Sequence, residues 1–455
     1  MKKFFKYMTL RIGILINILL VTASFAVIWY SCYRPLMVKA FFRKGNWLLV
    51  ALFMLMYLFF GRTYESFNVS LSRVHELIYS QGLAIVLTNG LFYVFICLLT
   101  LGFQNPLPLL ASVAVDLALC TLWSFAIRKW YFRTFKPQKT IIIYGEREGM
   151  EELVSQYNME KTFDVRRTVP ADDIIHEIDS LEEYDTVFLS GVQSHDRNTI
   201  LKFCVDRSVH AYVIPRIGDL LMAGAKRVHI FHLPLYSVMR YSPSIDFKLI
   251  KRAADILVSA VMLIVLSPLL AGVAAAIRAE DHGPVFYRQR RLTKDGKPFM
   301  IIKFRSMRTD AEKDGVARLS TGENDSRITK VGRVIRKYRI DEFPQLLNIL
   351  KGDLSLVGPR PERPEIAAEY EKTMPEFRLR LQAKAGLTGY AQVYGKYNTT
   401  PYDKLQMDLM YIANPSIVED LRLIFATIKI LFLPESTEGV AEGQTTALHN
   451  NGEKK

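Results

Sequence analysis

The sequence predicts three unlike parts in one chain: a membrane α-helical N-terminal bundle, an α/β (Rossmann-like) middle domain, and a mostly α monotopic C-terminal domain with a re-entrant membrane helix. Three observations carry this reading: apolar segments of spanning length crowd residues 1–127, strand, turn and helix alternate from Thr140, and an uncharged run, Ile256–Ile277, is interrupted at its midpoint by Ser267-Pro268. The expected boundaries are 1–135 for four transmembrane helices, 136–240 for the middle domain, 245–435 for the C-terminal domain with its re-entrant helix at 250–279, and 436–455 for a disordered tail.

The segments near 9–30, 46–61, 82–102 and 107–127 each approach the ~20 apolar residues that cross a bilayer. No small-residue cleavage site follows the first, so it is read as a retained span. With the N-terminus inside, the inner tally is Lys2, Lys3, Lys6, Arg11, Arg62, Arg73, Arg128, Lys129, Arg133, Lys136 and Lys139, against Arg34, Lys39, Arg43 and Lys44 outside. That bias puts both ends of the bundle in the cytoplasm. Only Asp116 is an acid within a span, so the helices read as an anchor. A formal charge of +14 suits an anionic partner, a diphosphate substrate or a negatively charged leaflet of membrane lipids; membrane insertion argues against nucleic acid. Cys32, Cys97, Cys120 and Cys204 are scattered without CxxC spacing, so neither a disulfide framework nor a zinc site is indicated.

In the middle domain, strands are expected at Thr140–Tyr144, Thr186–Leu189 and Ala211–Ile214, with helices at 147–158 and 196–206. The first turn, Gly145-Glu-Arg-Glu-Gly149, lacks the GxGxxG spacing that admits a pyrophosphate, so dinucleotide binding is disfavoured. Tyr157 and Lys161 match a YxxxK pair by chance, too early in such a fold. A scaffold, regulatory or homodimer contact is the expected role.

Pro268 removes a backbone hydrogen bond in the run Ile256–Ile277, and Ser267 can serve the freed carbonyl. Lys248, Lys251 and Arg252 precede the run, and Arg278, Arg288, Arg290 and Arg291 follow it. Basic flanks on both ends fit a hairpin dipping into one leaflet; the alternative is a kinked spanning helix.

The chemical signals lie between 285 and 435. Lys303-Phe-Arg-Ser-Met307 sets Lys303 and Arg305 on one side of a short strand, a clamp for phosphate oxygens. Arg339-Ile-Asp-Glu-Phe-Pro-Gln345 leads into a helix with apolar Phe343, Leu346, Leu347 and Leu350, ended by Gly352. Asp341 then falls at or near the helix N-cap, where free N–H groups favour a phosphate. Neighbouring residues point about 100° apart, so Asp341 and Glu342 divide two jobs, attack and metal binding; the plainer meaning is an acidic N-cap with a solvated neighbour. Gly352-Asp-Leu-Ser-Leu-Val-Gly-Pro-Arg-Pro361 fixes Arg360 between prolines, and Gly386-Leu-Thr-Gly-Tyr-Ala-Gln392 is a second glycine-bracketed loop.

In order, QxR, KFRSM, DExPQLxN, GDxSLVGPRP, GLTGxAQ and DLxYI make the segment from about 248 to 433 resemble the bacterial sugar transferase family of polyprenyl-phosphate hexose-1-phosphate transferases, large multi-span type. The resemblance implies a ping-pong reaction at the bacterial inner membrane, with the catalytic domain on the cytoplasmic face. Asp341 attacks the β-phosphorus of a UDP-sugar and expels UMP, and undecaprenyl phosphate then takes the phosphosugar, the first step of an exopolysaccharide, capsule or O-antigen-type glycan. It further implies Mg²⁺ on Glu342, phosphate binding by Lys303, Arg305 and Arg360, a helix break at Ser267-Pro268, and supporting places for Gln345, Asp408, Tyr411 and Tyr390. Ala385 and Thr293 stand where the family usually has proline and glycine, and Tyr390 where it has tryptophan, so an altered substrate fit is expected. Leu421–Leu433 is expected to lie along the leaflet. The rivals are a membrane scaffold without catalysis, which has no use for the acid pair and its cations, and an NAD-dependent epimerase or dehydratase, which lacks its glycine fingerprint. The sugar is not legible.

Overall fold

Apolar side chains facing every direction commit the first quarter of the chain to helices that need lipid around them. The computed structural model describes residues 2–37, 39, 41, 44–308, 327–395 and 399–431. The helices are α1 (Lys2–Ile28, extended by a π-helical turn Trp29–Tyr33), α2 (Gly45–Thr63), α3 (Val74–Thr100) and α4 (Leu107–Thr134). With a later helix, Ile245–Asp281, they are five helices among the described residues long and apolar enough to cross a membrane. α3 starts at Val74, well before the expected 82, because Glu76 accepts the Arg73 N–H at 2.8 Å and closes the helix start there. Hydropathy finds the lipid-facing stretch; the cap sets the helix end. Inside the bundle, Phe25 stacks on Phe53 at 4.0 Å and both meet Phe92 edge-on at 5.1 Å. Tyr57 donates to Asn17 at 3.0 Å and Trp29 to Asn46 at 2.9 Å, so these polar groups are paired away from lipid.

The middle region folds as β1 (Gln138–Tyr144), α5 (Met150–Gln156), β2 (Phe163–Pro170), α6 (Ala171–His176), β3 (Thr186–Ser190), α7 (Ser194–Asp206) and β4 (His210–Val213). The strands form a parallel sheet in the order β2-β1-β3-β4. β2 and α6 were not expected from the sequence. β2 is an edge strand carrying Asp164, Arg166 and Arg167, and it lacks the apolar run that marks buried strands. The switch point lies between β1 and β3, where such sheets hold nucleotides. Here the chain fills it: Gly145 donates to Ser190 O at 2.9 Å, and a Cβ on Gly145 would stand 2.6 Å from Gly191 O.

The chain divides into two compact units, Met1–Ile214 and Pro215–Lys455. Residues 215–240, expected in the middle domain, therefore belong to the second unit. Leu220 of α8 (Ile217–Ala223) lies in its core, and Gln406 donates to Pro215 O. Next come an antiparallel hairpin, β5 (Lys226–Ile230) and β6 (Leu233–Ser237), and then α9 (Ile245–Asp281). The remainder comprises β7 (Phe286–Leu292), β8 (Pro298–Phe304), α10 (Lys330–Lys337), α11 (Gln345–Lys351), β9 (Ser355–Val357), α12 (Pro364–Thr373), β10 (Gly386–Thr388), α13 (Tyr390–Val393), α14 (Pro401–Ala413) and α15 (Ile417–Leu431). Leu346, Ile349, Leu354, Val357, Leu405 and Leu423 centre its core.

α9 is tied to this unit at both ends. Arg252 donates to the last carbonyls of α11, Ile349 O at 2.6 Å and Leu350 O at 2.8 Å, and Asp255 accepts from Ser355 Oγ at 2.8 Å and Leu356 N at 2.9 Å. At the far end Ile277 packs on Phe304 and Ile335, and Glu280 caps α10 through Lys330 N at 2.7 Å. Between these ties Ile264 and Val265 are 73% and 69% exposed. Ser267 Oγ donates at 2.8 Å to Ile264 O, the carbonyl that Pro268 leaves without its partner. The expected tail 436–455 and the end of the helix expected at 421–433 lie outside the described residues.

Candidate active site

The acid pair sits on a turn of its own. Arg339 takes a left-handed φ of 52° after α10, and Ile340–Glu342 form a single 3₁₀ turn before α11 begins at Gln345. Pro344 has no N–H to give to Ile340 O, so the α-ladder cannot run back through it, and Phe343 N takes that carbonyl at 3.2 Å. This corrects the expected N-cap: Asp341 does not cap α11. The short helix supplies no anion seat, and the plainer reading as a helix cap falls with it.

Glu342 Oε1 receives Lys303 Nζ at 3.1 Å and Arg360 Nη2 at 3.5 Å. Burial alone would raise its pKa, but Lys303, Arg360 and Arg339 outweigh that and hold it well below the ordinary carboxylate range. Asp341 goes the other way. Burial, then repulsion from Glu342, pushes it up to about 6 against the pull of Lys303, Arg336 and Arg339, and its carboxylate accepts no hydrogen bond among the described residues. One acid is pinned between cations; the other is desolvated and takes up no hydrogen bond among the described residues.

Lys303 is placed by Asn348, a residue that sequence reasoning passed over although it ends the DExPQLxN stretch. Its Oδ1 accepts Ile302 N at 3.0 Å and its Nδ2 donates to Met300 O at 2.8 Å, clamping α11 to β8. Gln345 is buried at the start of α11. Arg360 rides on two loops pressed backbone to backbone: Gly358 N donates to Thr388 O and Gly386 N to Pro359 O, each at 2.9 Å, and a Cβ on Gly386 would lie 2.1 Å from Gly358 N. Beneath it, Arg380 donates to Arg360 O at 2.8 Å and pairs with Asp408 at 2.7 Å. Burial raises Asp408 to about 6 in spite of that partner. Tyr411 donates to Asp420 at 2.7 Å, and Asp420 also takes Lys251 of α9 at 2.6 Å. Tyr390 donates to Glu419 at 2.6 Å. Asp408, Tyr411 and Tyr390 therefore hold elements together in this structure.

Arg305 departs from the expected clamp. β8 ends at Phe304, so strand alternation does not carry Arg305 to the side of Lys303. Its guanidinium is buried against Asp281 at 2.5 Å, with Nε donating to Pro284 O at 2.7 Å. Ala385 and Thr293, the two unusual residues, meet each other: the Ala385 N–H, which a proline would lack, donates to Thr293 Oγ1 at 3.2 Å, and Thr293 donates to Asp353 O at 2.9 Å.

No cluster of three or more His, Cys, Asp or Glu suited to a metal occurs among the described residues. Two adjacent carboxylates, with both cations addressing only Oε1 of Glu342, fit a Mg²⁺ ion that draws most of its ligands from substrate phosphates and water.

The bacterial sugar transferase family model matches residues 247–434. The exopolysaccharide production protein PSS of Rhizobium leguminosarum bv. phaseoli is 42% identical over 188 residues, 39% of this chain and 93% of that protein. The UDP-glucose:undecaprenyl-phosphate glucose-1-phosphate transferase of Escherichia coli K12 is 37% identical over 212 residues, 46% of this chain and 44% of that protein. The UDP-N-acetylgalactosamine-undecaprenyl-phosphate N-acetylgalactosaminephosphotransferase of Aeromonas hydrophila is 37% identical over 231 residues, 50% of this chain and 53% of that protein. The chain thus spans about half the length of these last two relatives.

Proposed function

The chain belongs to the bacterial sugar transferase family, and from that premise we propose that it transfers a hexose-1-phosphate from a UDP-sugar to undecaprenyl phosphate, releasing UMP, through a covalent aspartyl-phosphosugar. The observation that carries this reading is the split between the paired acids: Glu342 ionised between Lys303 and Arg360, Asp341 desolvated and without a hydrogen bond among the described residues.

Asp341 Oδ attacks the β-phosphorus; the bond from that phosphorus to the bridging oxygen breaks, and UMP departs with the electron pair. A lipid phosphate oxygen then attacks the same phosphorus, the acyl phosphate P–O bond breaks, and Asp341 is regenerated. The sugar C1–O bond is untouched, so anomeric configuration is kept. Lys303 and Arg360, both paired with Glu342, would neutralise the diphosphate oxygens of a donor bound beside it. Mg²⁺ on Glu342 would supply further charge neutralisation to the leaving diphosphate oxygens.

A re-entrant α9 accompanies this reading. Its two ends pack on α11 and α10, which are joined through the short turn that carries Asp341, and a helix crossing the bilayer would separate those ends by the whole membrane. The exposed apolar stretch around Ser267-Pro268 is then the part immersed in one leaflet, and the site opens on the cytoplasmic face. The middle domain, its crevice filled by Gly145 and Gly191, serves as a scaffold or homodimer contact.

The test is nucleotide release from a panel of UDP-sugars, glucose, galactose and N-acetylated hexoses, with Mg²⁺ and undecaprenyl phosphate. Lipid-dependent UMP release with the wild type and none with Asp341→Asn supports the proposal; UDP in place of UMP refutes it.

A further inference from the structure

The QxR stretch, Gln289-Arg290-Arg291, has no part in the mechanism above. Side chains alternate along β7, so Tyr287, Gln289 and Arg291 share one face, and there they join: Gln289 Nε2 donates to Tyr287 Oη at 3.1 Å, and Arg291 Nη2 donates to Gln289 Oε1 at 2.9 Å. Arg291 Nη1 then reaches Pro361 O and Glu362 Oε1, each at 3.3 Å, while its Nε is buried without a partner among the described residues. The loop that Arg291 meets is held at four successive carbonyls. Pro359 O takes Gly386 N at 2.9 Å, Arg360 O takes Arg380 Nη2 at 2.8 Å, Pro361 O takes Arg291, and Glu362 O takes Leu292 N at 3.0 Å. From this strap the Arg360 side chain reaches Glu342 at 3.5 Å.

We propose that Gln289 and Arg291 are positioning residues for Arg360: Gln289 sets the plane of the Arg291 guanidinium, Arg291 fastens Pro361 and Glu362, and the strap so fixed aims Arg360 at the phosphate site beside Glu342. A buried guanidinium with an idle N–H costs free energy, so Arg291 is a poor choice for packing alone. Its planar fork serves three acceptors in one fixed arrangement, which a lysine ammonium on a flexible stem does not. The inference rests on the reading above in taking Arg360 as a phosphate-binding cation. It goes further in making Arg291 and Arg360 one unit, so that removing both costs phosphate binding no more than removing Arg360 alone.

The experiment uses the full-length protein in detergent micelles and has two arms. The first needs no substrate: phenylglyoxal modification of Arg360, read by peptide mass spectrometry, with exposed Arg166 of the middle domain as reference. Arg291→Met is expected to speed modification of Arg360 about threefold or more, as its pairing with Glu342 loosens, and to leave Arg166 unchanged. The second arm is equilibrium binding of UDP with Mg²⁺. Arg291→Met is expected to weaken it about tenfold, and the double variant with Arg360→Met no further than Arg360→Met alone. Gln289→Glu, which keeps an acceptor for Arg291, should bind UDP more tightly than Gln289→Leu. An unchanged rate at Arg360, or losses that multiply in the double variant, overturns the proposal even where Tm falls. Should Arg291→Met fail to fold, the two Gln289 variants carry the same comparison. No UDP binding by the wild type refutes the donor reading, and the modification rate still decides the role of Arg291.

Discussion

Two places in this molecule bring backbones into contact through glycine, with opposite results. In the middle domain Gly145 and Gly191 bring the turns after β1 and β3 backbone to backbone and fill the crevice between those strands with main chain. In the C-terminal unit Gly358 and Gly386 press two loops together and so hold up Arg360, which reaches Glu342. Close packing at glycine is therefore not itself a sign of a ligand site. What distinguishes the second place is charge: a half-buried acid pair with opposed pKa shifts and cations converging on it.

The sharpest way to break the comparison is Asp341→Asn, expected to lower UMP release by about 10³-fold or more while thermal unfolding stays put, since only the proposed nucleophile is lost. Gly386→Ala comes next. Its Cβ would fall 2.1 Å from Gly358 N, so the loop under Arg360 must move, and kcat/KM is expected to fall on the order of 10²-fold. Gly145→Ala is its control: a contact of 2.6 Å with Gly191 O should lower thermal stability but spare kcat/KM of the folded fraction. Arg380→Met strands buried Asp408 and is expected to cost about 3 kcal/mol in denaturant titrations near pH 7. Burial raises Asp408 to about 6 even with Arg380 beside it, and without that guanidinium its pKa lies higher, so the loss should shrink as pH falls toward 6 and the stranded acid takes a proton. Thr293→Val leaves the Ala385 N–H without its acceptor, for about 1–3 kcal/mol; adding Ala385→Pro removes the donor and should recover most of it. The smallest effect concerns pH. With Asp341 raised to about 6 and required as carboxylate, single-turnover UMP release should be flat above pH 7 and fall about tenfold per unit well below 6.

Much of the site was legible because its chemistry is written in short contiguous stretches. Asp341, Glu342, Lys303 and Arg360 were all named from motifs, and Lys303 and Arg360 do meet at Glu342. Arg305 was misplaced because alternation was extended one residue beyond the end of β8, where Asp281 captures it. Arg380 went unnoticed because it is an ordinary cation in its own turn, and its partners, Arg360 O and Asp408, lie 20 or more positions away. β2 was missed because an edge strand of charged residues shows no apolar run.

The sequence by itself determined the helices of spanning length, the parallel α/β region and the acid pair with its motif company, since hydropathy, alternation and local spacing are properties of neighbours along the chain. Only the tertiary structure decided which acid is pinned and which is free, that both ends of α9 return to one unit, and that residues 215–240 belong with that unit. Burial and charge act through space, and the distances that set them appear only when the chain has folded.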